Sequence, residues 1–320
     1  ETGVLVAGYV PELDFWQVGS RHLGLVLPGE IKNLQEQMRQ LGDCLEKTLD
    51  VDALLKLGEK ADIDALGSVT VTADGSSQKC EAQKNADLVL QNQLSGEKIS
   101  HSAIRIRLGV AWDEAFCFYY RDNLEFLEKQ GVQIVRFSPV HDKHLPDDLD
   151  GLLLGGGYPE LYAKALEENE TIRNEIRRKA EEDMPILAEC GGYLYLLKEL
   201  KDENGTGYEM AGVFSGKGYK KGKNSHFGYI TVQTERDSLY LKAGETIKGH
   251  EFHYWESTQD ENELKMQAKK PTGKRSWPCV TVKNQVMAGF PHLYYPSLEG
   301  FGERFVQACD RYRMKRKRQQ

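Results

Sequence analysis

Three features of these 320 residues predict an α/β fold, a mostly parallel open sheet with helices on both faces, preceded by a fragment of another α/β domain. Short apolar runs alternate with stretches of helical period from Ile104 to Leu200, two of the runs end in glycines, and the aromatic residues are unevenly spread. Of the 30 Phe, Trp and Tyr residues, only Tyr9, Phe15 and Trp16 precede Trp112. Aromatics carry much of the buried area of most domains, so the first hundred residues do not read as a complete core.

Residues 1–60 open with the apolar run Val4 to Val10, ended by Pro11, and continue with a helical period through Ile31, Leu34, Met38, Leu41 and Leu45. That is a last strand and helix, too little to offset chain entropy alone. Residues 61–103, rich in Ser, Gln, Asn, Lys and Asp, read as a linker. Residues 104–320 form the main domain. Leu108 to Trp112 is a strand, Phe118 to Gln130 a helix, and Val132 to Phe137 a second, β-branched strand. Leu152 to Leu154 is a third strand, Glu160 to Glu182 a long helix, Pro185 to Ala188 a fourth strand, and Gly191 to Leu200 a further helix. Strands at Tyr229 to Val232, Thr246 to Trp255, Cys279 to Val282 and Val286 to Phe290 extend the sheet in mixed fashion. A helix from about Leu298 closes the chain, with Lys-Arg-Lys-Arg at 315–318 read as a solvated tail.

Composition narrows the partners. The formal charge is −7 and the pI about 5.7, which disfavours nucleic acid and anionic lipid and favours a small-molecule substrate. The six cysteines show no CxxC spacing of the kind used for zinc or redox exchange, so they read as reduced thiols in a cytoplasmic protein, and no metal-ligand set is assigned. No apolar run has the roughly 20 residues of a membrane span.

The sharpest local signal is Pro-Ile-Leu-Ala-Glu-Cys-Gly-Gly-Tyr-Leu at 185–194, where a buried strand runs into Cys190 and two glycines open a helix. A residue at such a turn projects away from the sheet, Gly191 and Gly192 leave it unobstructed, and the helix N-terminus favours thiolate. A buried structural cysteine is the alternative. A second strand ends in glycines at 155–157, at the sheet edge where open α/β folds bind ligands, and freed amides there are suited to an oxyanion. A plain glycine turn is the competing explanation, and no GxxxxGK[ST] phosphate loop occurs in the sequence.

Of eight histidines, His292 follows an apolar strand and is placed to serve a cysteine elbow as base. His250 and His253 fall three apart in a strand, on opposite faces, so at most one shares a site with Glu251. His22 falls in the N-terminal fragment, and His101, His141 and His144 read as solvated.

The segments 111–125, Phe-Ser-Pro (137–139), Leu-Gly-Gly-Gly-Tyr-Pro-Glu (154–160), Ala-Glu-Cys-Gly-Gly (188–192), His-Phe-Gly-Tyr (226–229), Gly-His-Glu-Phe-His-Tyr (249–254) and Phe-Pro-His-Leu (290–293) resemble the cobyrinic acid a,c-diamide synthases in order and spacing. Ser-Arg-His-Leu-Gly-Leu at 20–25 resembles the end of that family's synthetase domain. The resemblance implies a class I glutamine amidotransferase-like, flavodoxin-like domain joined to a dethiobiotin-synthetase-like, P-loop-type ATPase. It implies ATP- and Mg2+-dependent amidation of the a and c carboxylates of cobyrinic acid with ammonia from glutamine. By motif, Cys190 is then the nucleophile and His292 its base; Gly156, Gly157, Tyr158 and Gly191 serve the oxyanion and glutamine; His250, Glu251, His253 and Tyr254 face the acceptor or the path of ammonia. The partners so implied are glutamine, a corrinoid acceptor and an N-terminal ATPase domain, with a homodimer compatible. With no P-loop in the sequence, no nucleotide or metal cofactor is expected on this chain, which by itself is expected to be at most a glutaminase. His292 is followed by Leu-Tyr rather than by the HxE pattern of many class I amidotransferases, which favours a Cys-His dyad. A nickel-sirohydrochlorin a,c-diamide synthase and a noncatalytic module on the same fold are the competing assignments.

Overall fold

The computed structural model describes residues 6–16, 31–60, 106–221, 226–259, 264–272 and 275–319. The linker read at 61–103 and the Ser-Arg-His-Leu-Gly-Leu segment with His22 lie outside them, as does His101. The chain divides into two compact units, Glu1–Ser100 and His101–Gln320.

In the first unit the helices are α1 (Leu34–Thr48) and α2 (Val51–Lys60). Arg39 bridges Glu36 and Asp43 along α1, both at 2.7 Å, and the Asp50 carboxylate accepts from the Ala53 amide to cap α2. Of the strand expected over Val4 to Val10, the described residues 6–10 make one antiparallel bridge, Gly8 with Leu49, and Val6, Tyr9 and Val10 are exposed. An apolar run becomes a strand only where a partner strand covers it, and here the neighbour is the turn between two helices.

The second unit is built on a ten-stranded sheet. Strands β1 (Ile106–Ala111), β2 (Val132–Phe137), β3 (Gly151–Leu154) and β4 (Ile186–Glu189) pair in parallel in the order β2-β1-β3-β4. The helix between β1 and β2 is α3 (Arg121–Lys129). Side chains alternate across the buried strands: Leu152, Leu154, Ile186 and Ala188 enter one core, Leu153 and Leu187 the other. The first core is closed by α4 (Ala163–Glu168), α5 (Glu170–Glu181) and α6 (Gly191–Leu196), the second by α3 and the C-terminal helix α7 (Phe301–Gln319). Helices therefore cover both faces.

After α6 the chain makes β5 (Glu199–Lys201), β6 (Gly207–Glu209) and β7 (Lys217–Lys220), which join β10 (Trp255–Ser257) in a separate four-stranded sheet. The main sheet continues through β8 (His226–Gln233), β9 (Thr246–His253), β11 (Leu264–Lys269), β12 (Ser276–Lys283), β13 (Val286–Gly289) and β14 (His292–Leu293). Its order there is β14-β9-β8-β11-β12-β13, all antiparallel, and β13 joins β4 in parallel. The antiparallel half is larger than its sequence signal, because half of the six residues of β11 are Lys or Gln and the segment does not stand out as a strand. Among the described residues no helix is long and apolar enough to cross a membrane.

Three other expectations are corrected. The long helix read over Glu160 to Glu182 is a 3-10 turn (Pro159–Leu161) and two helices, broken at Asn169, whose side chain donates to the Pro139 and Asp142 carbonyls. The helix after Cys190 ends at Leu196, where the carbonyls of Leu196 and Leu197 accept from Phe214 and Gly212 instead of from a further turn. Residues 315–318 are the last turns of α7 and not a tail. Lys315 pairs with Asp183, and Arg316 pairs with Asp148 and, at 3.0 Å, with the buried Asp150.

Removing one partner of a largely buried ion pair leaves an uncompensated charge. Arg316→Ala is expected to cost about 3 kcal/mol in urea unfolding. A loss no larger than that of Lys317→Ala, on the same helix end, would return this segment to a solvated one.

Candidate active site

Strand β4 is buried throughout, and the chain leaves it through Cys190 at φ 50°, ψ −103°. Positive φ is costly for a residue with a Cβ and persists only where the surroundings impose it. Here the Cys190 amide donates to the Gly289 carbonyl at 2.8 Å, its carbonyl accepts from Leu194 at 3.0 Å, and the Gly192 amide donates to the Gly155 carbonyl at 2.9 Å. A Cβ on Gly192 would stand 2.1 Å from the Leu154 carbonyl oxygen, and one on Gly191 would stand 2.9 Å from the Pro159 ring. Two glycines are thus the only residues that let α6 start this close to β3.

The second glycine run meets His292. A Cβ on Gly156 would lie 2.3 Å from the His292 Cε1, so the absence of a side chain there is the space the imidazole occupies. Tyr119 fixes the run from beneath: its hydroxyl accepts from the Gly155 amide at 2.9 Å and donates to the Ala111 carbonyl, with its ring stacked on Trp112. Tyr158 is buried and edge-on to Phe118. The elbow, the glycine run and His292, distant in sequence, are brought to one end of the sheet.

His292 is held through the residues behind it. The buried Glu189 carboxyl accepts from the Leu293 amide at 3.3 Å and from the Tyr295 hydroxyl at 3.1 Å. The buried Asn123 amide donates to the Leu293 carbonyl at 2.7 Å, and its carbonyl accepts from the Tyr295 amide at 2.9 Å. Neither Glu189 nor Asn123 was singled out from the sequence, although a charged residue ending an otherwise apolar strand and an Asn in the 111–125 motif were visible signals.

Burial governs the protonation states. It pushes the Cys190 thiol up to about 12, with the carboxyls of Glu160, Glu251 and Glu189 adding to it and the Gly191 amide opposing. The thiolate expected from a helix N-terminus is therefore not the resting form, since α6 is a helix of six residues and the thiol is almost fully desolvated. Burial, followed by His250 and His253, lowers His292 to about 4, so its imidazole is neutral and able to accept a proton. Burial raises Glu160 and Glu189 to about 8 and Glu251 to about 7.

Strand β9 carries the remaining candidates. His250 pairs with His292 across β14 and contacts the rings of Phe227 and Tyr229. Glu251 and His253 occupy the other face of β9, so His253 is the histidine that shares a face with Glu251. Glu251 accepts from the Trp277 indole at 3.0 Å, and Tyr254, just past the strand, accepts the Lys221 amide at its carbonyl. A cavity of about 410 Å3 opens beside His250, lined by Tyr120, Tyr229, Lys248 and Tyr294 among others. A larger one, about 1040 Å3, lies at the opposite end of β8 around Gln233 and Arg236, away from all these groups. His141 and His144 are exposed partners of Glu114 and Glu175.

The family description "CobB/CobQ-like glutamine amidotransferase domain" matches residues 107–298, and the chain belongs to that family. It is 33% identical over 313 residues to the cobyrinate a,c-diamide synthase of Caldanaerobacter subterraneus subsp. tengcongensis, covering 98% of this chain and 63% of that protein. It is 37% identical over 249 residues to the Salmonella typhimurium protein of the same name, covering 78% and 48%. The chain thus spans about three-fifths, or less, of the length of these relatives. Among solved structures, PurLQS from Thermotoga maritima aligns at 18% identity and a TM-score of 0.46, over 64% of this chain and 98% of that one.

An acid whose folded pKa is raised favours the folded state below its unfolded value and loses that contribution as pH rises through the folded one. Between pH 6.5 and 8 these carboxyls are ionised in the unfolded chain but bind protons in the folded one, so stability should fall with rising pH until Glu251 ionises at about 7 and Glu160 and Glu189 at about 8. The lowered His226 and His292 oppose this only up to about pH 7.5, where the unfolded imidazoles lose their protons. Glu189→Gln should flatten that decline by about 2 kcal/mol. Urea midpoints measured from pH 6.5 to 8 test this, and parallel slopes for the two proteins would contradict it.

Proposed function

We propose that this chain carries the glutamine-hydrolysing half of a ligase of the cobyrinate a,c-diamide synthase type. Cys190 and His292 act as a dyad that releases ammonia for amidation of the a and c carboxylates of a corrinoid. The observation that supports it most is at the glycine run: the His292 ring fills the place of a Gly156 side chain while the adjacent Gly155 carbonyl holds the elbow's Gly192 amide.

Cys190 Sγ attacks the carboxamide carbon of glutamine as neutral His292 takes the thiol proton, so no free thiolate accumulates at a buried site. Charge develops on the carboxamide oxygen, with the N–H groups of Gly157 and Gly191 as its donors. The amides of Gly156 and Tyr158 are engaged with the Phe118 and Ala115 carbonyls, which leaves these two residues to shape the site. His292 returns the proton to the departing nitrogen, and ammonia leaves behind a glutamyl thioester. Water deprotonated by the same imidazole then hydrolyses the thioester to glutamate and restores the thiol.

The acceptor side in this scheme is the β9 end, with His250, Glu251, His253 and Tyr254 and the tyrosine-lined cavity beside them. ATP and Mg2+ belong to activation of the acceptor carboxylate. The glycine run at 155–157 does not fit a triphosphate, because it is occupied by the elbow amide and the His292 ring. Nucleotide chemistry is therefore assigned to the part of the relatives' length that this chain does not span.

A glutamine-mimicking electrophile should alkylate Cys190, and peptide mapping that finds the adduct on Cys117 or Cys279 with Cys190 unmodified would overturn the assignment. His292→Asn should lower glutamine hydrolysis by about 10²-fold or more while leaving the melting temperature nearly unchanged. Near-normal hydrolysis in that variant, with loss in His253→Asn, would move the base to His253.

A further inference from the structure

Three side chains beside the proposed glutaminase centre converge on one point without hydrogen-bonding to one another. The β8–β9 register sets His226 opposite His253 and Gly228 opposite Glu251, so the three side chains project from one face. His226 Nδ1 lies 3.9 Å, and His253 Nε2 4.0 Å, from the same carboxylate oxygen, Glu251 Oε2, and all three atoms fall within 4.8 Å of one another. Both distances are too long for hydrogen bonds.

The tautomer of His253 is fixed by its other nitrogen. Nδ1 donates to the Trp255 carbonyl at 2.6 Å, which leaves Nε2 as a lone pair. That Nε2 is buried, has no hydrogen-bond partner and points at Glu251; His253 is 5% exposed and Glu251 1%. A ring nitrogen bonded to a backbone carbonyl while the other faces a carboxylate is the outer-shell arrangement of a metal-ligating histidine. The donors are also immobilised: His253 stacks on Phe290 at 3.9 Å, His226 on Trp277 at 4.1 Å, and the Trp277 indole donates to Glu251.

We propose that His226, Glu251 and His253 bind a divalent transition-metal ion of the zinc class, with one coordination position left for an exogenous ligand. Two imidazoles and a carboxylate are the donor set of that class, and three protein ligands leave such a site open. In a tetrahedral shell the donor atoms stand about 3.3 Å apart, so side-chain rotations that close the two gaps to Glu251 by about 0.7 Å, and the gap between the histidines by up to about 1.5 Å, complete the site. Calcium and magnesium are disfavoured, since the set has two nitrogens and the positive Lys221, Lys270 and Arg275 stand near it against Glu251 and Glu256. The site stands apart from the nucleophile but is packed to it: Phe290, under His253, follows Gly289, whose carbonyl holds the Cys190 amide.

The test is zinc content and cobalt spectroscopy on the purified protein. After equilibration with micromolar zinc and desalting, wild type should retain about one equivalent per chain, and cobalt should give the visible bands of a low-coordinate nitrogen and oxygen site. Glu251→Gln keeps the shape and an acceptor for Trp277 but should weaken binding at least about tenfold, and His226→Ala should do likewise. Cys190→Ser should bind as wild type does. The idea fails if wild type retains no zinc, if both ligand variants bind unchanged, or if Cys190→Ser abolishes binding, which would place the ion on the thiol. Circular dichroism of each variant separates lost binding from lost fold, and a misfolded Glu251→Gln passes the decision to His226→Ala. Because the readout is metal content, the result stands whether or not Cys190 hydrolyses glutamine.

Discussion

The left-handed backbone at Cys190 is the constraint around which this end of the molecule is arranged. A residue with a Cβ is held at φ 50° because its amide, its carbonyl and the Gly192 amide are each tied to a different element. Those ties require β13 on one side, the glycine run after β3 on the other, and an unobstructed helix start ahead. Backbone approaches closely at 157 and 192, and the Tyr119, His292 and Pro159 rings fill the space at 155, 156 and 191, which is why glycines and not larger residues occupy these positions. Strain at one residue is thus maintained by hydrogen bonds to a strand, a helix and a glycine run.

Desolvation makes the surroundings of that residue electrically quiet. Three carboxyls near the thiol are raised toward or above neutrality, and the nearby imidazoles of His292 and His250 are lowered, so neutral forms are favoured on all sides. Such a site gains little from a permanently charged nucleophile. It is suited to chemistry in which a proton moves as the bond forms, with charge appearing where amide dipoles already point.

The parallel half of the sheet was legible because its strands are buried on both faces and read as unbroken apolar runs, as in Leu152 to Leu154 and Ile186 to Ala188. Cys190 and the glycine run were legible for a related reason: glycines directly after such runs leave few alternatives to a tight turn. The antiparallel half was less so. In β11, Met266 and Ala268 alternate with polar neighbours in a segment too short and lysine-rich to stand out. The break at Asn169 depends on carbonyls of a loop far away in sequence. The partners of Glu189 and Asn123, and the meeting of His226 with Glu251 and His253, are products of register and tertiary pairing, which no local pattern encodes.

The Glu189 contacts also have a temporal meaning. They span 104 residues to Leu293 and 106 to Tyr295, and β13 reaches β4 only after β8, β9, β11 and β12 have been made. Loop closure over such separations is entropically costly, so these contacts form after the local hairpins and helices. During synthesis, β4 and its thiol emerge early and wait at an unpaired sheet edge for the strand that brings the histidine. Cys190 thus acquires His292 and its cover in the same late docking event, and a chain halted before residue 286 would present a bare parallel edge ending in a cysteine.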